Sequence, residues 1–278
     1  MCSTEKGHFQ SELFYPPYDR ITSESKGRDD SMSIAIGLIG KDGIVLATDS
    51  KMNVSTETGV NYDDNNSQKL WKLADNLGWA STGTQQGYRQ YLLEMCQRVL
   101  RKNGTDNLSE EAIKSLTDTI RNDFMNQVKA FGDELARQLL TTKIAIIVAG
   151  YDDDNNPAIL SIRTYATASG IPFIRDIRHD YCIYSADSTA ENLIIKTGVI
   201  HRMKHGLEIN MLKKLAGLLI EETKMSNKAV GGKIQMATIT KNAGFSFVED
   251  NEVKQIADKA NTFTLEMTEA IIKWLGIT

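Results

Sequence analysis

Two short apolar runs near residue 40 are separated by a tight turn signal. Hydrophobic side chains alternate through residues 33–39, and a second apolar run covers residues 44–47. The dipeptide Asp42-Gly43 lies between them, and Asp-Gly flanked by apolar runs indicates a β-hairpin. A hairpin brings its two ends together, so we expect Ser33 and Asp49 to lie close in space. A hydroxyl and a carboxylate placed in this way are either catalytic groups or the capped edge of a sheet.

The rest of the chain alternates between strand-like and helical patterns. Strands are predicted at 33–39, 44–48, 69–73, 78–81, 143–149, 158–162, 181–185, 234–240 and 245–248. Helical periodicity covers 88–99, 109–128, 189–201, 207–219 and 253–275. Because a pair of amphipathic helices must cover one face of a sheet, this order predicts an α+β fold, arranged as a four-layer α/β/β/α sandwich.

The first 32 residues differ in composition from the rest. They contain Pro16-Pro17 and many Ser, Glu, Asp and Lys residues, which favours a leader or a flexible N-terminal arm. A chain of 278 residues with 41% hydrophobic residues can form one large domain, and no linker-like stretch interrupts it after residue 33. We therefore expect one folded domain over residues 33–278.

Composition also limits the classes of function. The net charge of −4 gives no electrostatic footprint for nucleic acid, and no apolar run approaches the length of a membrane span. The N-terminal residues lack the pattern of a signal peptide, and Cys2, Cys96 and Cys182 form an odd, widely spaced set. These features predict a cytoplasmic protein that binds neither nucleic acid nor membranes, and no metal or other cofactor is expected.

Several motifs then point to one family. They are the hairpin at 37–49, Lys69 within 68–73, the segment 80–83, and the later segments 149–152 and 231–235. In this order they resemble a proteasome-type subunit of the N-terminal-nucleophile (Ntn) hydrolases, more β-like than α-like. The resemblance extends over roughly residues 33 to 250, and the hairpin is its most specific part.

The resemblance implies a catalytic role for four residues. Removal of residues 1–32 would make Ser33 an N-terminal nucleophile whose own α-amine acts as the base, since such amines have pKa values of about 7.7–8.0. Lys69 would stabilise the developing alkoxide, and Asp49 would keep Lys69 charged and oriented. The amide of Gly83 would bind the oxyanion.

The resemblance also implies substrates, partners and a specificity pocket. By position, the pocket residues would be Met52, Trp71, Ser81 and Gln85. The substrates would be peptides or unfolded proteins, and the chain would form a ring-shaped homo-oligomer with like subunits. The expected activity is therefore that of an endopeptidase similar to the threonine peptidases, with a serine nucleophile.

The sequence departs from the pattern of active subunits at several positions. Met32 precedes the nucleophile where the family has Gly, and Ser33 replaces Thr. Ala186 and Val230 stand where active subunits have supporting Ser residues, and Asn227 stands in place of Asp. Apart from the exchange of Thr for Ser, these departures favour the alternative of a non-catalytic, α-like structural or gating subunit. An amidase of the same fold acting on a small molecule is a third possibility.

Overall fold

The computed structural model describes residues 33–55, 61–83, 86–141, 144–164, 173–185, 187–199, 203 and 206–275. The predicted N-terminal arm at 1–32 lies outside the described residues. The strands are β1 (Ile34–Ile39), β2 (Ile44–Asp49), β3 (Met52–Ser55), β4 (Asn61–Asp64), β5 (Leu70–Ala74), β6 (Leu77–Thr82), β7 (Ile144–Tyr151), β8 (Pro157–Thr164), β9 (Phe173–Arg178), β10 (Tyr181–Ser185), β11 (Ile234–Thr240) and β12 (Gly244–Phe247). The helices are α1 (Gln86–Asn103), α2 (Glu110–Thr141), α3 (Thr189–Thr197), α4 (Ile209–Ser226) and α5 (Asp250–Leu275).

Two five-stranded antiparallel sheets form most of the β structure of the described chain. The first sheet has the order β10-β1-β2-β11-β12, and the second has the order β5-β6-β7-β8-β9. The predicted hairpin joins β1 to β2, with Ile39 opposite Ile44 across the turn. The fold is therefore a mixture of helices and antiparallel sheets, as the sequence predicts.

Four elements differ from the prediction. Strands β3 and β4 pair as a small separate hairpin, and β9 forms an edge of the second sheet. All three strands were missed because polar or charged residues occupy at least half of their positions. Helix α3 is shorter than predicted and ends at Thr197, because Gly198 adopts a left-handed φ of 63° that terminates the helix.

Among the described residues, the core consists of three hydrophobic clusters. One combines the second sheet with α1 and α2, and another combines the first sheet with α3, α4 and α5. The third cluster is made of residues from both sheets, including Leu46 and Ile159. A side chain at Gly37 would lie 3.0 Å from Ile159 Cδ1, and one at Gly78 would lie 2.6 Å from Leu46 Cδ1. These two glycines therefore allow the sheets to approach closely.

Helices α4 and α5 run side by side in the same direction. Lys213 pairs with Glu252 near their beginnings, and Thr264 bonds to Glu222 further along. Between these contacts, Gly217 packs directly on Ile256, where a β-carbon would overlap the isoleucine side chain. Along the described residues, none of the helices combines the length and hydropathy that a bilayer-spanning segment requires.

We expect Gly217→Ala to destabilise the protein although alanine favours helices by about 1 kcal/mol. The added methyl group would push α5 away from α4, and such overpacking costs about 1–3 kcal/mol. Urea unfolding followed by circular dichroism measures the change. Gly206→Ala is the matched control, because a β-carbon there meets nothing within 4 Å. Equal unfolding midpoints for the two variants would show that the α4–α5 contact tolerates the extra volume.

Candidate active site

Asp49 is the centre of a buried cluster at the end of β2. Its Oδ1 atom accepts a hydrogen bond of 3.0 Å from the amide of Ile34, which begins β1. Its Oδ2 atom accepts bonds of 3.2 Å and 3.1 Å from the amides of Lys51 and Gly231. Three backbone donors therefore hold the carboxylate in one orientation, and its side chain is fully buried.

Lys69 connects this carboxylate to Ser33. Its Nζ atom lies 2.7 Å from Asp49 Oδ1 and 2.7 Å from Ser33 Oγ. The same nitrogen donates to the carbonyl oxygen of Lys51. An ammonium group has three donors, and these three acceptors use all of them. The structure thus confirms that Ser33 and Asp49 lie close together, and it brings Lys69 between them.

The environment of Lys69 changes its protonation. Burial lowers the pKa of Lys69 from its ordinary range to about 8, while Asp49 opposes this shift and Arg89 adds to it. Removal from water penalises the charged form of a lysine, and a nearby carboxylate favours it. The ammonium form still predominates at neutral pH, but the neutral amine is within reach of mildly alkaline solution.

Gln235 on β11 fixes the chain that carries Lys69. Its Oε1 atom accepts bonds of 2.9 Å and 3.2 Å from the amides of Lys69 and Leu70. Its Nε2 atom donates to the carbonyl oxygen of Ser67 at 3.0 Å. One side chain of the first sheet therefore forms hydrogen bonds to the backbone at the start of β5 in the second sheet. Sequence reasoning missed this role, because glutamine in a strand ordinarily indicates a solvated position.

The loop before β11 closes over the carboxylate. The carbonyl oxygen of Gly231 accepts bonds of 3.2 Å and 3.0 Å from the amides of Ser50 and Lys51. A β-carbon on Gly231 would lie 2.9 Å from Lys51 Cδ, and Gly232 has a φ of 70° with Asn65 O only 2.6 Å from a β-carbon. The glycine pair is therefore required for this close approach.

The structure also accounts for two departures from the family pattern. Asn227 Oδ1 accepts a bond of 2.9 Å from the amide of Ala229, so its side chain stabilises a local turn. Val230 is buried in the cluster that joins the first sheet to α3, α4 and α5. Ser185 lies opposite Ile34 in the sheet, and Ile34 is the residue that follows Ser33. Ala186 lies outside the described residues.

Of the other predicted site residues, Ser81, Gly83 and Trp71 lie on or next to the second sheet, and Met52 begins β3. Gly83 follows β6 with a φ of 76°, and its carbonyl oxygen accepts a bond of 3.1 Å from Arg89. Ser81 is buried, and its amide donates to the Lys69 carbonyl oxygen at 3.0 Å. Two of the expected pocket residues have different surroundings: Met52 contacts Arg89 and Ser67, and Trp71 packs on the cluster with α1 and α2. Gln85 lies outside the described residues.

Comparison with known proteins identifies the family. The family model for proteasome subunits matches residues 32–175, which is more than half of the chain and includes β1 through β6. The chain therefore belongs to the proteasome subunit family, whose members assemble into rings with other subunits. No curated protein matches the sequence significantly.

Replacing Gln235 tests its hydrogen bonds to the backbone around Lys69. Gln235→Met keeps the length of the side chain but leaves the buried amides of Lys69 and Leu70 without their acceptor. Each unsatisfied buried donor costs about 1–3 kcal/mol, so we expect a decrease of at least that size in the free energy of unfolding. Gln90→Met is the matched control, since Gln90 is exposed and bonds to Glu94 on the same helix. A similarly small effect for both variants would contradict this role of Gln235.

The pKa of Lys69 predicts a stability change in alkaline solution. The pKa of Lys69 is lowered to about 8 in the folded state, whereas an unfolded chain has the ordinary lysine pKa of about 10.4. Between these two pH values the unfolded chain therefore binds more protons than the folded chain. The contribution of Lys69 to stability therefore rises with pH across this window, by roughly 1–3 kcal/mol. The reference is the Lys69→Met/Asp49→Asn double variant, in which other titrating groups are retained. Urea unfolding at several pH values measures the difference, and a constant difference would contradict the lowered pKa.

Proposed function

We propose that this chain is a proteasome-like peptidase subunit that hydrolyses peptide bonds with Ser33 as its N-terminal nucleophile. The observation that carries the proposal is the 2.7 Å contact between Lys69 Nζ and Ser33 Oγ, with Asp49 bound to the same nitrogen. A buried lysine already held against a hydroxyl needs only a free α-amine beside it to complete an Ntn site.

We further infer that residues 33–278 form one four-layer α/β/β/α sandwich of the Ntn hydrolase type. The three hydrophobic clusters support this arrangement, because one joins the two sheets and each of the others joins a sheet to helices. Residues 1–32 would be a propeptide that precedes this domain.

Activation would begin with the bond between Met32 and Ser33. Ser33 Oγ attacks the carbonyl carbon of Met32, and the C–N bond breaks while its nitrogen takes up a proton. The resulting ester is hydrolysed by water, which leaves a carboxylate on Met32 and a free amine on Ser33. The positive charge of Lys69 favours the alkoxide that forms in the first step.

Peptide hydrolysis would use the same hydroxyl. The α-amine of Ser33 accepts the hydroxyl proton as Oγ attacks the substrate carbonyl, and it returns this proton to the leaving amine. The amide of Gly83 stabilises the oxyanion, a contribution of about 2.7–4 kcal/mol for one donor in other hydrolases. Water then hydrolyses the acyl ester and regenerates Ser33. Met52, Trp71, Ser81 and Gln85 remain the candidate pocket residues.

The second candidate function is that of a non-catalytic ring subunit. It is favoured by Val230, which is buried in the hydrophobic core where active subunits have a polar residue. Asn227 likewise serves a local turn and has no bond to Asp49 or Lys69 among the described contacts. In this case the buried ion pair would stabilise the end of the hairpin, and the ring would have a structural or gating role.

We place the assembled protein in the cytoplasm as a ring of like copies. The buried thiols of Cys96 and Cys182 are free, which fits a reducing compartment. The substrates would be peptides or unfolded proteins, which can reach a site enclosed by a ring.

Intact mass and N-terminal sequencing of the purified protein test the proposal. We expect a chain that begins at Ser33, and covalent labelling of the Ser33 hydroxyl by a fluorophosphonate. Ser33→Ala should keep residues 1–32 and take no label, because the attacking oxygen is absent. Ser31→Ala is the matched control and should be processed and labelled like the native chain.

A native chain that retains residues 1–32 and takes no label would overturn the peptidase proposal and support the non-catalytic subunit. Lys69→Met separates fold from chemistry: we expect loss of labelling by at least about a hundredfold, by analogy with the loss of one oxyanion donor. Gel filtration would show whether each variant assembles like the native protein.

A further inference from the structure

Arg89 in the first turns of α1 is a buried cation beside the candidate site. Its side chain is only 2% exposed, and its Nη1 atom donates to the Gly83 carbonyl oxygen at 3.1 Å. Its Nη2 atom donates to Ser67 Oγ at 3.1 Å and lies 3.9 Å from Met52 Sδ. Within the described part of the chain, Nε has no hydrogen-bond partner and no carboxylate pairs with the guanidinium.

Burying a guanidinium in this way costs desolvation free energy. Burial lowers the pKa of Arg89 to about 10, with Asp49 acting in the opposite direction. Burying a charge costs free energy unless the charge is both paired and hydrogen-bonded. Stability alone therefore gives no reason for a cation here, and its position relative to the site becomes the relevant feature.

The two groups to which Arg89 donates belong to two different segments of the candidate site. Ser67 lies two residues before Lys69, and its amide donates to the carbonyl oxygen of Ser50 at 2.9 Å. Gly83 carries the amide proposed to bind the oxyanion, and its left-handed φ of 76° is adopted at the end of β6. The planar fork of an arginine can bind two acceptors in fixed directions, which a lysine cannot do.

We propose that Arg89 is a positioning residue of the Ser33 site: its guanidinium fixes the Gly83 turn relative to the segment that carries Lys69, and it supplies a positive charge beside the Lys69–Asp49 pair. This proposal rests on the proposed function for its catalytic consequence. Its electrostatic consequence applies to the folded chain whether or not the chain is a peptidase.

The electrostatic consequence concerns the protonation of Lys69. Among the charged groups that act on Lys69, Asp49 and Asp64 raise its pKa, whereas Arg89 lowers it in the same direction as burial. Removing the charge of Arg89 while keeping the site buried should therefore raise the pKa of Lys69. Replacing arginine by lysine keeps the charge but removes the fork.

Two variants separate these roles. In the purified protein with ¹³C-labelled lysine, the Cε resonance of Lys69 is assigned by its loss in Lys69→Met and followed through a pH titration. We expect Arg89→Met to move the titration midpoint to higher pH and Arg89→Lys to leave it close to native. Arg101→Met is the matched control, because Arg101 is an exposed arginine near the end of the same helix.

Labelling of Ser33 by the fluorophosphonate reports the positional role. We expect both Arg89 variants to react about tenfold to a hundredfold more slowly than native protein, since a misplacement of about 1 Å costs up to a hundredfold. The charged form of Lys69 stabilises the alkoxide, so labelling falls as Lys69 loses its proton. In Arg89→Met this decline should move to higher pH, and in Arg89→Lys it should not.

Two results would overturn the proposal: an unchanged Lys69 titration in Arg89→Met, or native labelling rates in Arg89→Lys. If Arg89→Met fails to fold, Arg89→Gln replaces it as the neutral variant. Absence of labelling in the native protein would contradict the proposed function instead, and the Lys69 titration would then decide the role of Arg89 by itself.

Discussion

The buried pair of Lys69 and Asp49 is the interaction on which the arrangement of this end of the molecule depends. Removing two charges from water costs several kcal/mol for each ion, and their attraction compensates only when the remaining donors and acceptors are also paired. Here, amides from three separate segments bind the carboxylate, and Ser33 and Lys51 take the remaining donors of the ammonium. The pair therefore requires β1, the end of β2 and the loop before β11 to meet at one point.

Much of this architecture can be predicted from local sequence pattern. The hairpin of β1 and β2 is encoded by alternating apolar residues and an Asp-Gly turn, so the proximity of Ser33 and Asp49 follows from about seventeen neighbouring residues. The long helices and apolar strands can also be predicted from the sequence, because their periodicity is a property of the segment itself. The part played by Lys69 came from family resemblance, since nothing local distinguishes it from a solvated lysine.

The features that the sequence did not reveal are those created by distant contacts. In its own strand Gln235 has the pattern of a surface residue, and its function arises only because β11 passes the start of β5. Arg89 belongs to the polar positions of an amphipathic helix, yet the fold encloses it. Strand β9 is defined by pairing with β8 and not by its charged sequence. Tertiary context overrides local preference at each of these positions.

The amide of Gly231 reaches Asp49 across 182 positions of sequence, and Gln235 reaches Lys69 across 166. Ribosomes add about 5–20 residues per second, so the hairpin and Lys69 emerge on the order of ten seconds before the loop that completes their hydrogen bonds. A nascent chain at that stage contains the serine, the lysine and the carboxylate without the contacts that orient them. The length of the intervening chain thus delays assembly of the site until residues 231–235 have been synthesised.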